Sequence, residues 1–446
     1  MKRNNALIIG GGISGFGAAR LSNHIGYNTY VTSIDKIEKD KKQILTDLGI
    51  KFEEGKHTVS HLNNKDLIIK SPGVSPKIPL LIEAQKRQIP ILSEIEFAFT
   101  NTDSYIIAVT GTNGKTTTAK LIYHILNRAG LNVDLVGNIG KSFSESVLAG
   151  KCSYYVVETS SFQLENIITF KPDISIILNI DNDHLNRYGN DFECYLNTKL
   201  RIQMNQTEDD ACIYFSHDSS IHSKLKNSTV KKYLFGDSKI NNHQYGGWLE
   251  KDQIIINTIK NNFTMTIHNL ALQGSHNLYN SMAAAIAAST IGIKNEIIKA
   301  SLSDFKGLEH RLEFVGKISG VDFINDSKAT NCNSVYYALD SVNSPIIWIC
   351  GGVDKGNDYT SLKTLVSNKV KSIIYLGHDA EKIQSNFTSC VKNIKVVSTM
   401  SEAVNYSYSI AHPGDTVLLS PSCASFDLFK DYKERGRVFK SCVLSI

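Results

Sequence analysis

The sequence predicts an α/β protein of three domains built on mainly parallel sheets. Three observations predict it. The chain has 446 residues, too many for one ordinary core, so roughly two to four domains are expected. Short apolar runs alternate with helical patterns along most of its length, the pattern of parallel strands covered by helices. Two strand-to-helix junctions are glycine-rich, at residues 10–15 and 111–114, the form that turns backbone N–H groups toward an anion.

The first block covers residues 1–93. Strands are expected at 6–9, 29–33 and 66–70, with a helix at 15–24 after the first glycine turn. The second block, 94–307, has a strand at 105–109, a helix at 116–129, buried strands at 154–157 and 174–178, and a hairpin, 253–259 with 262–267, around Lys260-Asn261. A helix of small residues at 277–290 closes it. The third block, 308–446, alternates again, with strands near 321–324, 346–350, 372–376, 395–397 and 416–419 and a last helix beginning near Asp427. No repeat or low-complexity segment interrupts the three.

Composition narrows the function classes. Hydrophobic residues at 42% and charged residues at 20% describe a globular chain, not a disordered one. Lys plus Arg exceed Asp plus Glu by 48 to 43, a surplus that suits anionic ligands and is too small to argue for nucleic acid. The eight cysteines form no CxxC pair and read as reduced thiols. The apolar run at the start is broken by glycines after about four residues, too short for a signal peptide. No stretch reaches the roughly 20 apolar residues of a membrane span. A cytoplasmic protein without membrane insertion is expected.

The most informative motif is Gly111-Thr112-Asn113-Gly114-Lys115-Thr116-Thr117-Thr118, between a strand and a helix. Glycines expose backbone N–H groups to phosphate, the helix N-terminus adds partial positive charge, and Lys115 reaches the outer phosphates. Thr116 can offer its hydroxyl to Mg²⁺. A strict P-loop needs Gly at position 109, where Val109 stands, so this is a shorter variant. Glu158 and the run Asn179-Ile180-Asp181-Asn182-Asp183-His184 then follow two neighbouring strands. Acidic groups and histidine at strand C-terminal ends sit where α/β sheets bind ligands. Mg²⁺ on a triphosphate needs few protein ligands, and Glu158 and His184 are the candidates.

The first block opens with Gly10-Gly11-Gly12-Ile13-Ser14-Gly15, and Asp35 lies 20 residues beyond Gly15. Read literally, this is a dinucleotide fingerprint on a Rossmann-like unit. NAD, FAD and a UDP-sugar all carry a diphosphate, so the turn alone does not choose among them.

Taken together, GTNGKTTT (111–118), ETSSFQLE (158–165), NDHLNRYG (182–189), GSHNLYN (274–280), LEHRLE (308–313), NDSKATN (325–331) and SPSCASFDLF (420–429) resemble the Mur ligases over essentially the whole chain, in order. NDSKATN and SPSCASFD resemble the D-glutamate-adding member. The resemblance implies Rossmann-like N- and C-terminal domains around a central P-loop-type ATPase. It implies ATP-dependent joining of D-glutamate to UDP-N-acetylmuramoyl-L-alanine through an acyl phosphate, in cytoplasmic peptidoglycan precursor synthesis, by a monomer.

Residue by residue, the resemblance gives Gly111, Thr112, Asn113, Gly114, Lys115, Thr116, Thr117, Asn277, Asn280, His310, Arg311 and Asp326 to ATP. It gives Thr116, Glu158, His184 and Lys199 to two Mg²⁺ ions, with Lys199 carbamylated, and makes Lys115, His184 and Lys199 catalytic. Ser14, Ser71, Gly73, Asn138 and Ser160 fall at the UDP-substrate. Lys328, Thr330, Lys355, Ser425, Phe426 and Tyr432 fall at D-glutamate, with Ser425 expected directly before the last helix. Closure across a boundary near Lys306-Gly307 is expected. One region departs: the family pattern after the second strand is an acidic residue followed closely by Thr-Arg, whereas this chain has Thr32-Ser33-Ile34-Asp35-Lys36.

Three other readings explain less. Folate-adding ligases of the superfamily lack the first block, and later Mur ligases differ at NDSKATN. A nicotinamide-dependent oxidoreductase leaves GTNGKTTT unexplained. A non-catalytic nucleotide switch leaves the third block's motifs unexplained.

Overall fold

In the computed structural model, residues 4–446 are described except 151, 240–243, 273, 306, 308 and 355. The expected positions Lys306 and Lys355 therefore lie outside the described residues.

The first sheet contains β1 (Asn5–Ile9), β2 (Asn28–Ser33), β3 (Lys51–Glu54), β4 (Leu67–Lys70) and β5 (Ile91–Ser93) in the order β3-β2-β1-β4-β5, all parallel. Both faces of β1 are buried. Ile8 packs with Ala18, Leu21 and Val31, and Leu7 and Ile9 pack on the other side with Leu62, Leu80 and Leu81. This explains why its sequence, Ala-Leu-Ile-Ile, shows no alternation.

The second sheet contains β6 (Tyr105–Thr110), β7 (Val133–Gly137), β8 (Tyr154–Glu158), β9 (Ile174–Ile177), β10 (Ala211–Phe215), β11 (Lys231–Phe235), β12 (Gly246–Glu250), β13 (Gln253–Asn257) and β14 (Asn262–Thr266). Their order is β14-β13-β12-β11-β10-β9-β6-β8-β7. Only the β12-β13-β14 meander is antiparallel. β6 sits between β8 and β9. The chain leaves β6 toward β7 and β8 on one side and returns to β9 on the other, a switch point at which loops part and leave a crevice.

The third sheet contains β15 (Glu313–Ile318), β16 (Val321–Asn325), β17 (Ile346–Gly351), β18 (Val370–Leu376), β19 (Ile394–Val397) and β20 (Thr416–Ser422), ordered β15-β16-β20-β17-β18-β19. It is parallel except for the β15–β16 pair.

Two compact units emerge. One comprises Met1–Leu270 with Tyr279–Asp304 and holds the first two sheets; the other comprises Ala271–Leu278 with Phe305–Ile446 and holds the third. Within the first unit, an ion network ties β4 to the second sheet. Buried Lys70 lies 3.2 Å from Glu165, which also accepts from Arg187 Nε at 2.6 Å and Nη2 at 2.7 Å. The Arg187 guanidinium covers the Phe162 ring at 4.1 Å.

A second buried acid sits where the first sheet gives way to the second. Glu94 begins the helix Glu94–Phe99, and its Oε1 accepts from Ser144 N at 2.6 Å. Burial pushes its pKa from 4.5 up to about 7, overriding the hydrogen bonds that favour the carboxylate. Between these values the folded state holds a proton that the unfolded state has released. Stability therefore falls as pH rises through this window and is unaffected below it. The amide of Glu94→Gln cannot ionise, so it is expected to stabilise the protein by about 3 kcal/mol at pH 8 and by almost nothing near pH 4.5. Chemical denaturation at both pH values checks this; an equal effect at both would show that Glu94 is not the titrating group.

One expected element is corrected. The last helix runs Tyr432–Leu444, not from near Asp427. Asp431 is its N-cap and accepts from Glu434 N at 2.8 Å, and Glu434 Oε2 accepts from Lys430 N at 2.6 Å. These reciprocal bonds satisfy the helix start five residues later than expected.

Candidate active site

The phosphate loop follows β6 and runs into the helix Lys115–Arg128. Gly114 has φ +82°, and a Cβ there would collide with the Asn280 side chain, so glycine is required for both reasons. Asn280 Oδ1 also accepts from Thr118 Oγ1 at 3.2 Å, which brings the expected Asn280 to the loop within the first unit. Asn179, after β9, clamps the loop. Its carbonyl accepts from Thr112 N and its Oδ1 from Asn113 N, both at 2.8 Å, while its Nδ2 donates to Asn113 O at 3.2 Å. The Thr112 hydroxyl lies 3.1 Å from both Asp181 O and Tyr195 OH. Thr117 is buried and Thr116 half-buried on the first turn. A loop pinned this way offers its N–H groups to phosphate without reorganising.

Two lysines converge on one carbonyl. Lys115 Nζ donates to Gly111 O at 2.8 Å and to Thr112 O at 2.7 Å, and Lys199 Nζ, from the helix Phe192–Leu200, donates to Gly111 O at 2.8 Å. Lys199 is buried. Burial, then the nearby Lys115 charge, holds its pKa well below the usual lysine range, against the pull of Asp183 and Glu158. The lysine thus faces a cation on one side and two carboxylates on others.

Glu158, at the end of β8, is 1% exposed. Its Oε1 accepts from Asn138 Nδ2 at 2.9 Å, and the Asn138 amide N donates to Glu158 O at 2.8 Å. Its other oxygen, Oε2, is buried with no hydrogen-bond partner. A buried carboxylate oxygen left open beside a phosphate loop suits a hard cation. His184 stands in the left-handed region at φ +53°, its side chain 42% exposed and its ring edge-on to Phe162 at 5.1 Å. Among the described residues no group of three or more His, Cys, Asp or Glu side chains forms a metal cage.

The first sheet carries a separate cleft of about 780 Å³, lined by the glycine turn, Ser14, residues 33–36, His57, Ser71 and Gly73. Gly10 has φ +103°, and a Cβ there would press on Ser71 Oγ, itself buried without a partner. Ser14, Ser71 and Gly73 are thus gathered as expected. Asn138 and Ser160 do not line this cleft. Asn138 holds Glu158, and Ser160 caps the short helix Ser161–Leu164 with a capping box through Gln163.

In the second unit the loops after β16, β17 and β20 are stapled by Arg435, which the sequence reading missed. Its Nε donates to Ser327 Oγ at 3.0 Å, Nη2 to Ser327 O at 2.8 Å, and Nη1 to Cys423 O at 3.1 Å and Gly351 O at 3.5 Å. Lys328 Nζ donates to Tyr432 OH at 3.0 Å and lies 4.2 Å from the ring centroid. His310 O accepts from Lys328 N at 3.1 Å. Asp326 accepts from Ser420 Oγ at 2.9 Å and Leu312 N at 3.3 Å, and burial pushes its pKa up to about 7 against the opposing pull of Ser420 and Arg311. His310, Arg311, Asp326, Lys328 and Tyr432 therefore share one neighbourhood. Asn277 also belongs to this unit. Thr330 lies in the same loop as Lys328, half-buried.

The expected helix N-terminus at Ser425 is not there. Ser425, 3% exposed, lies in a turn closed by Phe429 N to Ser425 O at 2.9 Å, and the side chain at the helix start is Tyr432. Phe426 is 71% exposed.

Comparison with known proteins matches this arrangement segment by segment. Residues 7–79 match the profile of the MurD N-terminal domain, 109–288 the Mur ligase middle domain and 310–423 the Mur ligase glutamate ligase domain. A UDP-N-acetylmuramoylalanine–D-glutamate ligase from Bacteroides fragilis is 46% identical over 99% of both chains. The enzyme of that description from Porphyromonas gingivalis is 43% identical over 99% of this chain and 98% of its own. Solved structures share the fold. The UDP-N-acetylmuramate–alanine ligase MurC of Thermotoga maritima has a TM-score of 0.60 at 19% identity, covering 99% of both chains. A MurF ligase from Thermotoga maritima in complex with ADP has a TM-score of 0.62 at 15% identity, over 94% of this chain and 95% of its own. Identity above 40% sustained from end to end of both partners is a shared descent of all three sheets and their loops, and the chain belongs to the Mur ligase family.

Proposed function

We propose that the protein is an ATP-dependent ligase that joins D-glutamate to UDP-N-acetylmuramoyl-L-alanine in cytoplasmic peptidoglycan precursor synthesis. The observation that carries this reading is the full-length likeness to D-glutamate ligases, joined to a clamped phosphate loop with an open Glu158 oxygen beside it. No helix among the described residues is long and apolar enough to cross a membrane.

The L-alanyl carboxylate attacks the terminal phosphoryl group of ATP, ADP departs, and an acyl phosphate forms. The amine of D-glutamate attacks the acyl carbon, a proton leaves the nitrogen, and collapse of the tetrahedral adduct releases phosphate. Residues 111–117 cradle the nucleotide phosphates, with Asn280 at the loop; Asn277, His310, Arg311 and Asp326 are assigned to the nucleotide as well. Lys115 turns from Gly111 O to the outer phosphates. Thr116 and Glu158 would hold one Mg²⁺, and His184 with a carbamylated Lys199 a second; Mg²⁺ supplies charge neutralisation on the transferring phosphoryl group. Ser14, Ser71 and Gly73 hold the UDP moiety, with Asn138 and Ser160 toward the end that reacts. Lys328, Thr330, Lys355, Ser425, Phe426 and Tyr432 take D-glutamate. Burial of Ser425 and the Lys328–Tyr432 contact suit a site with fixed donors for two carboxylates.

The test is phosphate release with UDP-N-acetylmuramoyl-L-alanine and ATP, offering D-glutamate, L-glutamate, L-lysine and diaminopimelate in turn. Rapid release with D-glutamate only is expected. Equal use of L-glutamate, or preference for a diamino acid, would remove the assignment while leaving the family intact.

A further inference from the structure

The chain departs from the family pattern at residues 32–36, in the cleft of the first sheet, and there it carries a hydrogen-bond chain of its own. Glu53, near the end of β3, anchors it. Its Oε1 accepts from Thr58 N at 2.8 Å and its Oε2 from Thr58 Oγ1 at 2.7 Å, with His61 Nε2 3.2 Å from Oε2. Burial alone would raise this carboxyl, but the Thr58 and Thr32 bonds outweigh it and hold its pKa at about 2. Glu53 is therefore a carboxylate that only accepts.

Thr32 Oγ1 has three neighbours: Glu53 Oε1 at 2.8 Å, Lys56 O at 3.2 Å and His57 Nδ1 at 2.8 Å. The hydroxyl has one proton. Two of its neighbours are pure acceptors, so the proton goes to that side, toward the carboxylate. The contact with His57 is then a hydrogen bond only if Nδ1–H is the donor. Burial lowers the His57 pKa against the pull of Glu53, which keeps the ring neutral. One tautomer follows: Nδ1 carries the hydrogen and Nε2 a lone pair.

His57 lines the cleft beside residues 33–36. With the Nδ1 edge tied to Thr32, the opposite edge is left for a ligand. Thr32, at the end of β2, joins the two sides of the cleft: its carbonyl accepts from Gly10 N at 2.8 Å and its hydroxyl holds His57. A diphosphate on the glycine turn would set the attached nucleoside over the end of β2, on the side of the cleft that His57 lines.

We propose that His57 Nε2 accepts the N3–H of uracil and so reads uracil against cytosine, whose N3 carries a lone pair instead of a hydrogen. A fixed acceptor rejects a second acceptor more strongly than an apolar wall does, because neither group is satisfied in the mismatched complex. The proposal rests on the reading that this cleft takes the UDP moiety.

Calorimetric titration of the full chain with UDP, CDP and 2′-deoxy-UDP tests it. UDP is expected to bind at least about tenfold tighter than CDP. His57→Leu is expected to lose about tenfold for UDP and nothing for CDP. Thr32→Val, which frees the tautomer without removing the ring, is expected to narrow the UDP-over-CDP ratio while the KM values for ATP and D-glutamate stay unchanged. A purely structural role for either residue would weaken both nucleotides equally. The proposal is overturned if the UDP preference survives in both variants, or if the wild type binds UDP and CDP alike, an outcome that leaves the cleft assignment standing. It is also overturned if 2′-deoxy-UDP binds the wild type as weakly as CDP and His57→Leu abolishes that difference, since the donor is then a ribose hydroxyl. Failure of UDP, CDP and UDP-N-acetylmuramoyl-L-alanine alike to bind would take down the cleft assignment as well.

Discussion

Lys115→Ala is expected to lower kcat by about 30-fold to a thousandfold, about 2–4 kcal/mol of transition-state stabilisation, while the protein stays folded. The ammonium now rests on two loop carbonyls, Gly111 O and Thr112 O, within a loop whose other bonds do not involve it. Asn179 clamps Thr112 and Asn113, so removal of the lysine leaves the cradle in place. What is lost is a cation at the loop that can meet charge as it builds on the transferring phosphoryl group. The effect therefore belongs in kcat, with little change in the KM for D-glutamate. Initial rates of phosphate release, paired with a thermal melt, decide it. A folded variant retaining more than a tenth of wild-type kcat would show that the phosphate-loop assignment is wrong.

The parts of this site that were legible in the sequence are those built within one strand–turn–helix. The phosphate loop is local: its glycines, its lysine and the flanking β6 and helix lie within about two dozen residues, and each appears where the motif placed it. The places of Glu158 and His184 were legible because the apolar runs of β8 and β9 precede them in the chain. Strands β10, β11 and β12 were not, since their runs are short and the apolar pattern of a five-residue buried strand cannot be told from helix or loop. The last helix was misplaced by choosing Asp427 over Asp431, although Asp431 is followed three residues later by Glu434 and Asp427 by Lys430. The capping-box spacing carried the signal.

Contacts across long sequence separations left no local trace. Asn179 clamps a loop 66 residues away, Arg435 reaches Ser327 across 108 residues and Gly351 across 84, and Thr32 fixes the tautomer of His57, 25 residues on. Each pairing is chosen by strand order, which a single sequence does not print. The same reason explains why the residues expected at the UDP-substrate divide in two. Ser14, Ser71 and Gly73 share the first cleft, whereas Asn138 and Ser160 belong to the ends of β7 and β8 beside Glu158.

Lys199→Ala is expected to be nearly inactive, with kcat down about a hundredfold or more, and to be partly restored by short carboxylates. A cation at this position is unfavourable twice over. The group is buried, and its amine shares the Gly111 carbonyl with Lys115, so both desolvation and like charge push it toward the neutral amine. A neutral amine is the form that adds carbon dioxide, and the resulting carbamate reverses the sign of the charge. It would then face Lys115 as a partner and present oxygens toward the ion that Glu158 Oε2 is open to receive. If Lys199 served only to hold Gly111 O, its loss would be mild, because Lys115 donates to that oxygen independently. The two roles separate in three measurements. Carbonate-free buffer should lower wild-type activity and added bicarbonate restore it. ¹³C-bicarbonate should give a carbamate resonance that is absent from the alanine variant. Acetate or formate should raise kcat of Lys199→Ala without improving the wild type, by filling the vacated space with an anion. An alanine variant fully active in carbonate-free buffer would leave Lys199 as a buried lysine holding one loop carbonyl.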